Sequence, residues 1–472
     1  MDNSTRRKYL IKNTLVFAIG NFGTKFISFF LVPLYTHALN TEQYGTADLV
    51  YTIGMVLVPV LTLNVGDAIM RFSLDKDADH NRIMSIGLIS LLFATLISTL
   101  IFPICSLFPQ THNYSVYIFL YTITYAYSQV LLCNLRGKEL LLQYSVGNII
   151  HSLAIALTNI VLLLWLRQGV EGYLTAYIIS NVLTAVYAFF VGKVHTTFAN
   201  FHLDISLIKS MLKYSIVLLP TTFMWWIMNS SDRLMVSAMV GVAANGIYTV
   251  AYKVPTMLST ITTVFNQAWS YSAIREEGSN DENKYSNTVY RRLTAIVMLV
   301  AGGLLMLMKP FLRVYVSKEY FAAWEYTPYL VIGFVFMTMG SFLATSYTVH
   351  KDSKGFLFSG TAGAVINLIL NYLLIPVMGA AGAALATCIS YAVVFVYRAL
   401  DVRKYIELDI VNIVDALGIA LVITSGFTMS MAGAIGQVML CLEFTALTIL
   451  YRKIWIQVAL GIFMRIKRVF TK

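Results

Sequence analysis

GVEGYLTAYIIS, residues 169–180, and GAAGAALATCIS, residues 379–390, are two copies of one stretch. At a constant offset of 210, Gly169, Gly172, Ala176, Ile179 and Ser180 recur as Gly379, Gly382, Ala386, Ile389 and Ser390, and further on Tyr187 recurs as Tyr397. Asn159 and Asn371 lie just upstream in corresponding apolar runs, and Tyr44-Gly45 is matched more loosely by Asn245-Gly246. Small residues recur wherever membrane helices pack, but six identities at one spacing point to an internal duplication. Parallel repeats related by an axis along the membrane normal build transporters whose binding site lies between two lobes near the bilayer midplane.

The rest of the chain fits a membrane. Of its 472 residues 58% are hydrophobic and 12% charged, with mean hydropathy +0.71, against about 25% charged residues in a soluble domain. Apolar runs near 13–38, 46–70, 83–108, 113–133, 144–166, 170–192, 214–240, 246–272, 290–316, 326–349, 356–376, 380–400, 411–430 and 434–452 each suffice for a helix of about 20 residues across the hydrocarbon core. We expect an all-α integral membrane protein of about 14 transmembrane helices. Spans 1–6 form an N-terminal lobe (1–205), spans 7–12 a C-terminal lobe (206–405), and residues 406–472 two additional helices and a tail. The first run lacks a cleavage signature and reads as a retained span.

Charge sets the orientation. Segments on one side of the alternating spans hold 27 of the 34 Lys and Arg, while Arg167, Lys309, Arg313 and Lys318 fall on the other and Lys25, Arg233 and Lys253 inside spans. Positive charge stays in the cytoplasm, so both termini are expected there. A net charge of +11 distributed between spans explains orientation and gives no reason to expect nucleic acid. The four cysteines are scattered, without CxxC or a Cys/His cluster. No phosphate-binding G-x-x-x-x-G-K-[ST] occurs, since Leu132 stands where Gly137-Lys138 would need a glycine. HExxH and GxSxG are absent too. No catalytic residue, metal or cofactor is expected.

The polar residues inside spans are the candidates for function. Lys25 lies about twelve residues, or about 18 Å, into span 1, with Asn21, Thr24 and Ser28 on its face. In span 7, Thr222, Trp226, Asn229 and Arg233 form a stripe beside Asp232, and in span 8 Thr249, Lys253, Thr256, Thr260, Thr263 and Gln267 form another. Facing lipid these would be costly, so they are expected to line a wet interior, where Lys25, Arg233 and Lys253 favour an anionic group such as phosphate. Arg233 and Lys253 have a structural alternative, neutralisation by Asp232. Asp67 and Arg71, at i and i+4, read as a local ion pair, leaving Asp67 and Asp232 as candidates for coupling or ion pairing. Asp48 reads as solvated. Tyr114, Tyr117, Tyr121 and Tyr125 share a face of span 4; the deeper Tyr121 and Tyr125 could stack on sugar rings. Asn148, His151, Ser152, Asn159, Asn367 and Asn371 read as hydrogen bonds between helices.

Three regions resemble the polysaccharide (O-antigen type) flippases of the multidrug/oligosaccharidyl-lipid/polysaccharide exporter superfamily. They are IKNTL (11–15) with PLYT (33–36) and YG (44–45); SDRL (231–234) with NGIYTVAYKVP (245–255); and NYLLIP (371–376) with GAAGAALAT (379–387). The resemblance implies two six-helix lobes forming a V around a central cavity, followed by two helices. It also implies movement of a polyprenyl-pyrophosphate-linked oligosaccharide to the outer leaflet of the bacterial inner membrane by alternating access. Relatives that flip the peptidoglycan precursor carry cations on spans 1, 2 and 8; Lys25 and Lys253 match the first and last, while span 2 has no core cation. In this reading Lys25, Arg233 and Lys253 hold the pyrophosphate, Asn21, Ser28, Tyr121, Tyr125, Trp226, Asn229 and Thr256 line the path, and the lipid tail follows spans 13 and 14. Partners are the lipid-linked glycan, the bilayer and the polysaccharide polymerase machinery. The alternatives are an ion-coupled multidrug exporter, which would need an acidic cavity, and a membrane polymerase or acyltransferase, which would need a large outer loop or a His/Asp pair.

Overall fold

The computed structural model describes residues 23–75, 77–107, 112–279, 281–410, 412–431 and 433–457, a few side chains inside helices excepted, and all regular structure among them is helical. After α1 (23–38) come α2 (Thr41–Leu61), α3 (Val65–Ser73), α4 (His80–Cys105), α5 (Ser115–Gly137), α6 (Leu141–Asn159), α7 (Gly169–Val191) and the short α8 (His195–Ala199). Then follow α9 (Ile205–Met239), α10 (Val242–Glu276), α11 (Glu282–Tyr315), α12 (Thr327–Val349), α13 (Ser353–Met378), α14 (Ala380–Asp401), α15 (Ile413–Thr428) and α16 (Gly433–Leu450). Among the described residues 11 helices are long and apolar enough to cross a membrane. The other three expected spans are α1, described only from residue 23, α15, of 16 residues, and α10, long enough but less apolar because of its hydroxyl-rich stretch.

Two sequence expectations need correction. Span 2 is broken: Leu63 and Asn64 have φ of 48° and 55° and separate α2 from α3. Asparagine tolerates this left-handed region, and Asn64 Nδ2 holds Asp67 Oδ2 at 2.8 Å. Spans 7, 8 and 9 are longer than their apolar runs, at 35, 35 and 34 residues, or roughly 50 Å against a core of about 30 Å. In α9 the extension begins at a polar cap, where the Asp204 carboxylate accepts from Ser206 and Leu207 N–H.

The chain divides into two compact units, Met1–Thr249 and Val250–Lys472. In the first, α5 packs on α2, α3, α4 and α7, α6 lies on α7, and α9 runs along α2 and α3. Its core includes the fully buried Val65, Ile69, Met84, Leu91, Leu135 and Met211. In the second, α12 and α13 both pack on α14, while α11 supports α12, α15 and α16. The repeated glycines have a common physical role. Gly169 and Gly379, each beginning a copy, have φ of 58° and 61°, where residues with a Cβ are strained. Three residues on, a Cβ at Gly172 would come within 3.2 Å of Leu162 Cβ, and one at Gly382 within 2.4 Å of Leu374 O. Each copy therefore encodes a tight corner between consecutive membrane helices.

Candidate functional site

A buried polar cluster of the first unit lies where α2, the end of α9 and the start of α10 meet. Two glycines bring α2 and α10 together. A Cβ on Gly45 would stand 1.7 Å from Val242 O, and one on Gly246 would stand 2.1 Å from Thr41 O. Each glycine thus covers the carbonyl four residues before the other, a reciprocal contact that gives the loose Tyr44-Gly45/Asn245-Gly246 match a structural meaning. At this distance Asn245 Nδ2 donates to Gly45 O at 3.2 Å and to Asp48 Oδ2 at 3.3 Å.

Arg233 completes the cluster. Its NH1 donates to Asp48 Oδ1 at 3.2 Å, with the two side chains 12% and 6% exposed, so the charges are withdrawn from water and must satisfy each other. Asp48, expected to be solvated, is instead the buried partner of Arg233 across two helices. Asp232 stays within electrostatic reach of Arg233 while its Oδ2 accepts from Tyr248 Oη and its Oδ1 from Arg233 N–H. Asp67 and Arg71 do not pair, because Arg71 NH1 reaches Asp75 at 2.7 Å and Asp67 is held by Asn64. Both lie within α3, so the i, i+4 spacing is kept, and each side chain bonds a different partner instead.

Lys25, on α1, is accessible, lies within electrostatic reach of Arg233, and has no carboxylate partner within 4 Å among the described residues. Ser28 follows it on α1, half-buried. Along α9, Trp226 Nε1 is buried without a hydrogen bond among the described residues, and Asn229 Nδ2 turns back to Trp225 O at 2.7 Å. Lys253 and Thr256 belong to the second unit, where Thr256 Oγ1 bonds Lys253 O at 2.6 Å. Asn21 lies outside the described residues.

Tyr121 and Tyr125 form part of a larger aromatic assembly. Ring centroids link Tyr44 to Tyr35 (5.7 Å), Tyr35 to Tyr173 (4.9 Å), Tyr173 to Tyr177 (4.9 Å), Tyr177 to Tyr51 (5.4 Å), Tyr51 to Tyr121 (5.7 Å) and Tyr121 to Tyr125 (5.6 Å). Asn159 Nδ2 donates to Tyr35 Oη at 3.3 Å. Tyr121 is 2% exposed, its ring seated where a Cβ on Gly54 would fall, whereas Tyr51, Tyr125 and Tyr177 are half-buried. Sequence reading missed Tyr35, Tyr51, Tyr173 and Tyr177 because a ladder along one helix is visible in sequence and a cluster across four is not. Asp48 and Asn245 were missed for a related reason. Their signal was an acid and an amide placed a few residues inside the starts of two repeat-related helices.

Regular structure that is all helical among the described residues, with polar residues buried inside apolar spans, defines a multi-pass membrane protein, and known structures agree on the fold. "Lipid II flippase MurJ, inward closed conformation" is similar with TM-score 0.62 at 14% identity, covering 94% of this chain and 99% of that chain. An inward-facing multidrug resistance MATE family transporter of the MOP superfamily follows at TM-score 0.61 and 16% identity, with 82% and 94% covered. A MOP superfamily transporter from Pyrococcus furiosus, described as having a binding pocket of reverse polarity, gives 0.57 and 15%, with 83% and 95% covered. The chain belongs to the family described as "Polysaccharide biosynthesis protein", whose model matches residues 10–271, more than half its length. No curated protein sequence matches it.

Proposed function

We propose that the protein flips a polyprenyl-pyrophosphate-linked oligosaccharide from the cytoplasmic to the outer leaflet of the bacterial inner membrane, by alternating access of two lobes (1–205 and 206–405), for O-antigen or related surface polysaccharide. It acts as a secondary-type transporter and catalyses no covalent chemistry. The observation that carries the reading is Lys25: an accessible ammonium in an apolar span, beside an Arg233 already neutralised by Asp48. A cation kept inside a membrane without a carboxylate partner is suited to an anionic ligand, and family membership identifies saccharide biosynthesis as the setting. Arg233 is reassigned from phosphate ligand to structural partner, and Lys253 remains a second candidate cation. Half-buried Tyr51, Tyr125 and Tyr177 offer ring faces to a glycan; buried Tyr121 supports them from behind.

In cells expressing Lys25→Ala at the normal level, surface polysaccharide should fall about tenfold or more, the loss of one charge-assisted contact being worth at least about 1.4 kcal/mol. The lipid-linked intermediate should accumulate, and Lys25→Arg should restore much of the flux. Undiminished polysaccharide in Lys25→Ala would refute the reading. The nearly equal likeness to a multidrug transporter fold supports drug export as the second reading. It predicts raised sensitivity to cationic drugs, with normal surface polysaccharide, on deletion.

A further inference from the structure

The C-terminal pair α15 and α16 holds a buried acid that the transport reading does not use. Asp415 is in the first turn of α15 and 2% exposed. Its carboxyl is not needed for capping, because the Asn412 side chain already accepts from Asp415 N–H at 2.8 Å. Tyr451, just beyond α16, donates from Oη to Asp415 Oδ1 at 3.3 Å, and Gly418 makes room for this contact, since a Cβ there would lie 2.2 Å from Tyr451 Oη. Asp415 Oδ2 is buried and makes no hydrogen bond among the described residues. On α11, Tyr290 Oη and Thr294 Oγ1 are also buried, near each other and without a further hydrogen-bond partner among the described residues, and Tyr290 lies within electrostatic reach of Asp415.

No cation pairs with Asp415 among the described residues. Arg291 of α11 lies within electrostatic reach of it but binds Asp409, both side chains about half exposed. Asp409, in the segment before α15, adds negative charge. From α12, which also packs on α15, the ionisable residues are the phenols Tyr329 and Tyr347. Glu443 of α16, at the far end of α15, accepts from Thr428 Oγ1 at 2.8 Å, its Oε2 likewise buried without a hydrogen bond among the described residues. A carboxylate left charged here, with one oxygen unpaired, is costly. Hard divalent cations take six or more oxygen ligands, more than one carboxyl and three hydroxyls provide. A proton needs only one lone pair.

We propose that Asp415 is a proton-binding site. Hydronium at the Arg291–Asp409 edge gives up a proton that bonds to Oδ2, leaving water behind, and the carboxylate becomes a neutral acid within electrostatic reach of the Tyr290 phenol; release to water reverses the step. Infrared difference spectra of the full-length protein in lipid nanodiscs, between acidic and alkaline buffer, test this without any glycan, so the outcome is separable from the proposed flipping. A carboxylic-acid carbonyl band should appear in the wild type, vanish in Asp415→Asn, and persist in Glu443→Gln. Tyr451→Phe, which keeps the ring, should retain the band at a shifted frequency and serves if Asp415→Asn fails to fold. A band absent from the wild type, unchanged in Asp415→Asn, unshifted in Tyr451→Phe, or lost in Glu443→Gln would overturn the assignment.

Discussion

Asp48 and Arg233 show how far apart sequence and space can be at the scale of single residues. They stand 185 positions apart and meet at 3.2 Å with little exposure to water. Removing one member leaves the other's charge buried and uncompensated, at a cost on the order of 3–5 kcal/mol. Asp48→Asn and Arg233→Gln should therefore each lower the melting temperature of the purified protein strongly. The double variant should recover most of the loss, and additivity in this double-mutant cycle would show that the pair is not coupled. The polar stripes were legible because charge and amide groups in apolar runs stand out; Lys25, Arg233 and Asp232 were found that way. That Arg233 also pairs with an acid from another helix was not legible, because the sequence offers only the adjacent Asp232, whose Oδ2 is bonded by Tyr248. The buried state of Tyr121 was hidden likewise, since it depends on Gly54 of α2 lying against its ring.

At the scale of elements, glycines and caps decide how helices meet. A methyl group on Gly45 would overlap Val242 O, and the helices would have to part. Gly360, in the interior of α13, faces open space: a Cβ added there would meet nothing within 4 Å, so an alanine gains about 0.5–1 kcal/mol from reduced backbone entropy. Gly45→Ala should therefore lower thermal stability while Gly360→Ala raises it slightly; equal effects would remove the close crossing from the account. The start of α13 offers a pH test. The Asp352 carboxyl caps it, accepting from Gly355 N–H at 2.9 Å, and is bonded by Tyr405 Oη at 2.8 Å and Lys404 Nζ at 3.2 Å. The Gly355 bond first, then Tyr405 and Lys404, hold it at about 2, below the unfolded value of about 3.9. A depressed carboxyl contributes stability above the unfolded value and loses it as pH falls through the folded one. Wild-type melting temperature should thus drop between about pH 4 and about pH 2, with a smaller drop in Asp352→Asn. Helix existence was readable from apolar runs, and the corners at Gly169 and Gly379 from the repeat. The break at Leu63 and Asn64 was not, because backbone dihedrals inside an apolar run leave no trace in hydropathy.

For the whole molecule, orientation follows from charge rather than from packing. With 27 of the 34 Lys and Arg falling in alternate connections, moving any one span out of register would scatter them over both faces. Retention of positive charge in the cytoplasm then predicts the α10–α11 connection on the inside and the α11–α12 connection on the outside. Ser279 and Lys318 are exposed residues in those two segments, which makes them reporters of opposite sides. In a background with the native cysteines replaced, Lys318→Cys on intact cells should react with a membrane-impermeant maleimide. Ser279→Cys should react only after the membrane is permeabilised. The reverse pattern would invert the protein and place Lys25 on a path approached first from the other leaflet. Labelling of both sites in intact cells would mean that α11 does not span. Because α11 also carries Tyr290, this experiment fixes the side from which a proton would reach Asp415, and hence which gradient could act on it.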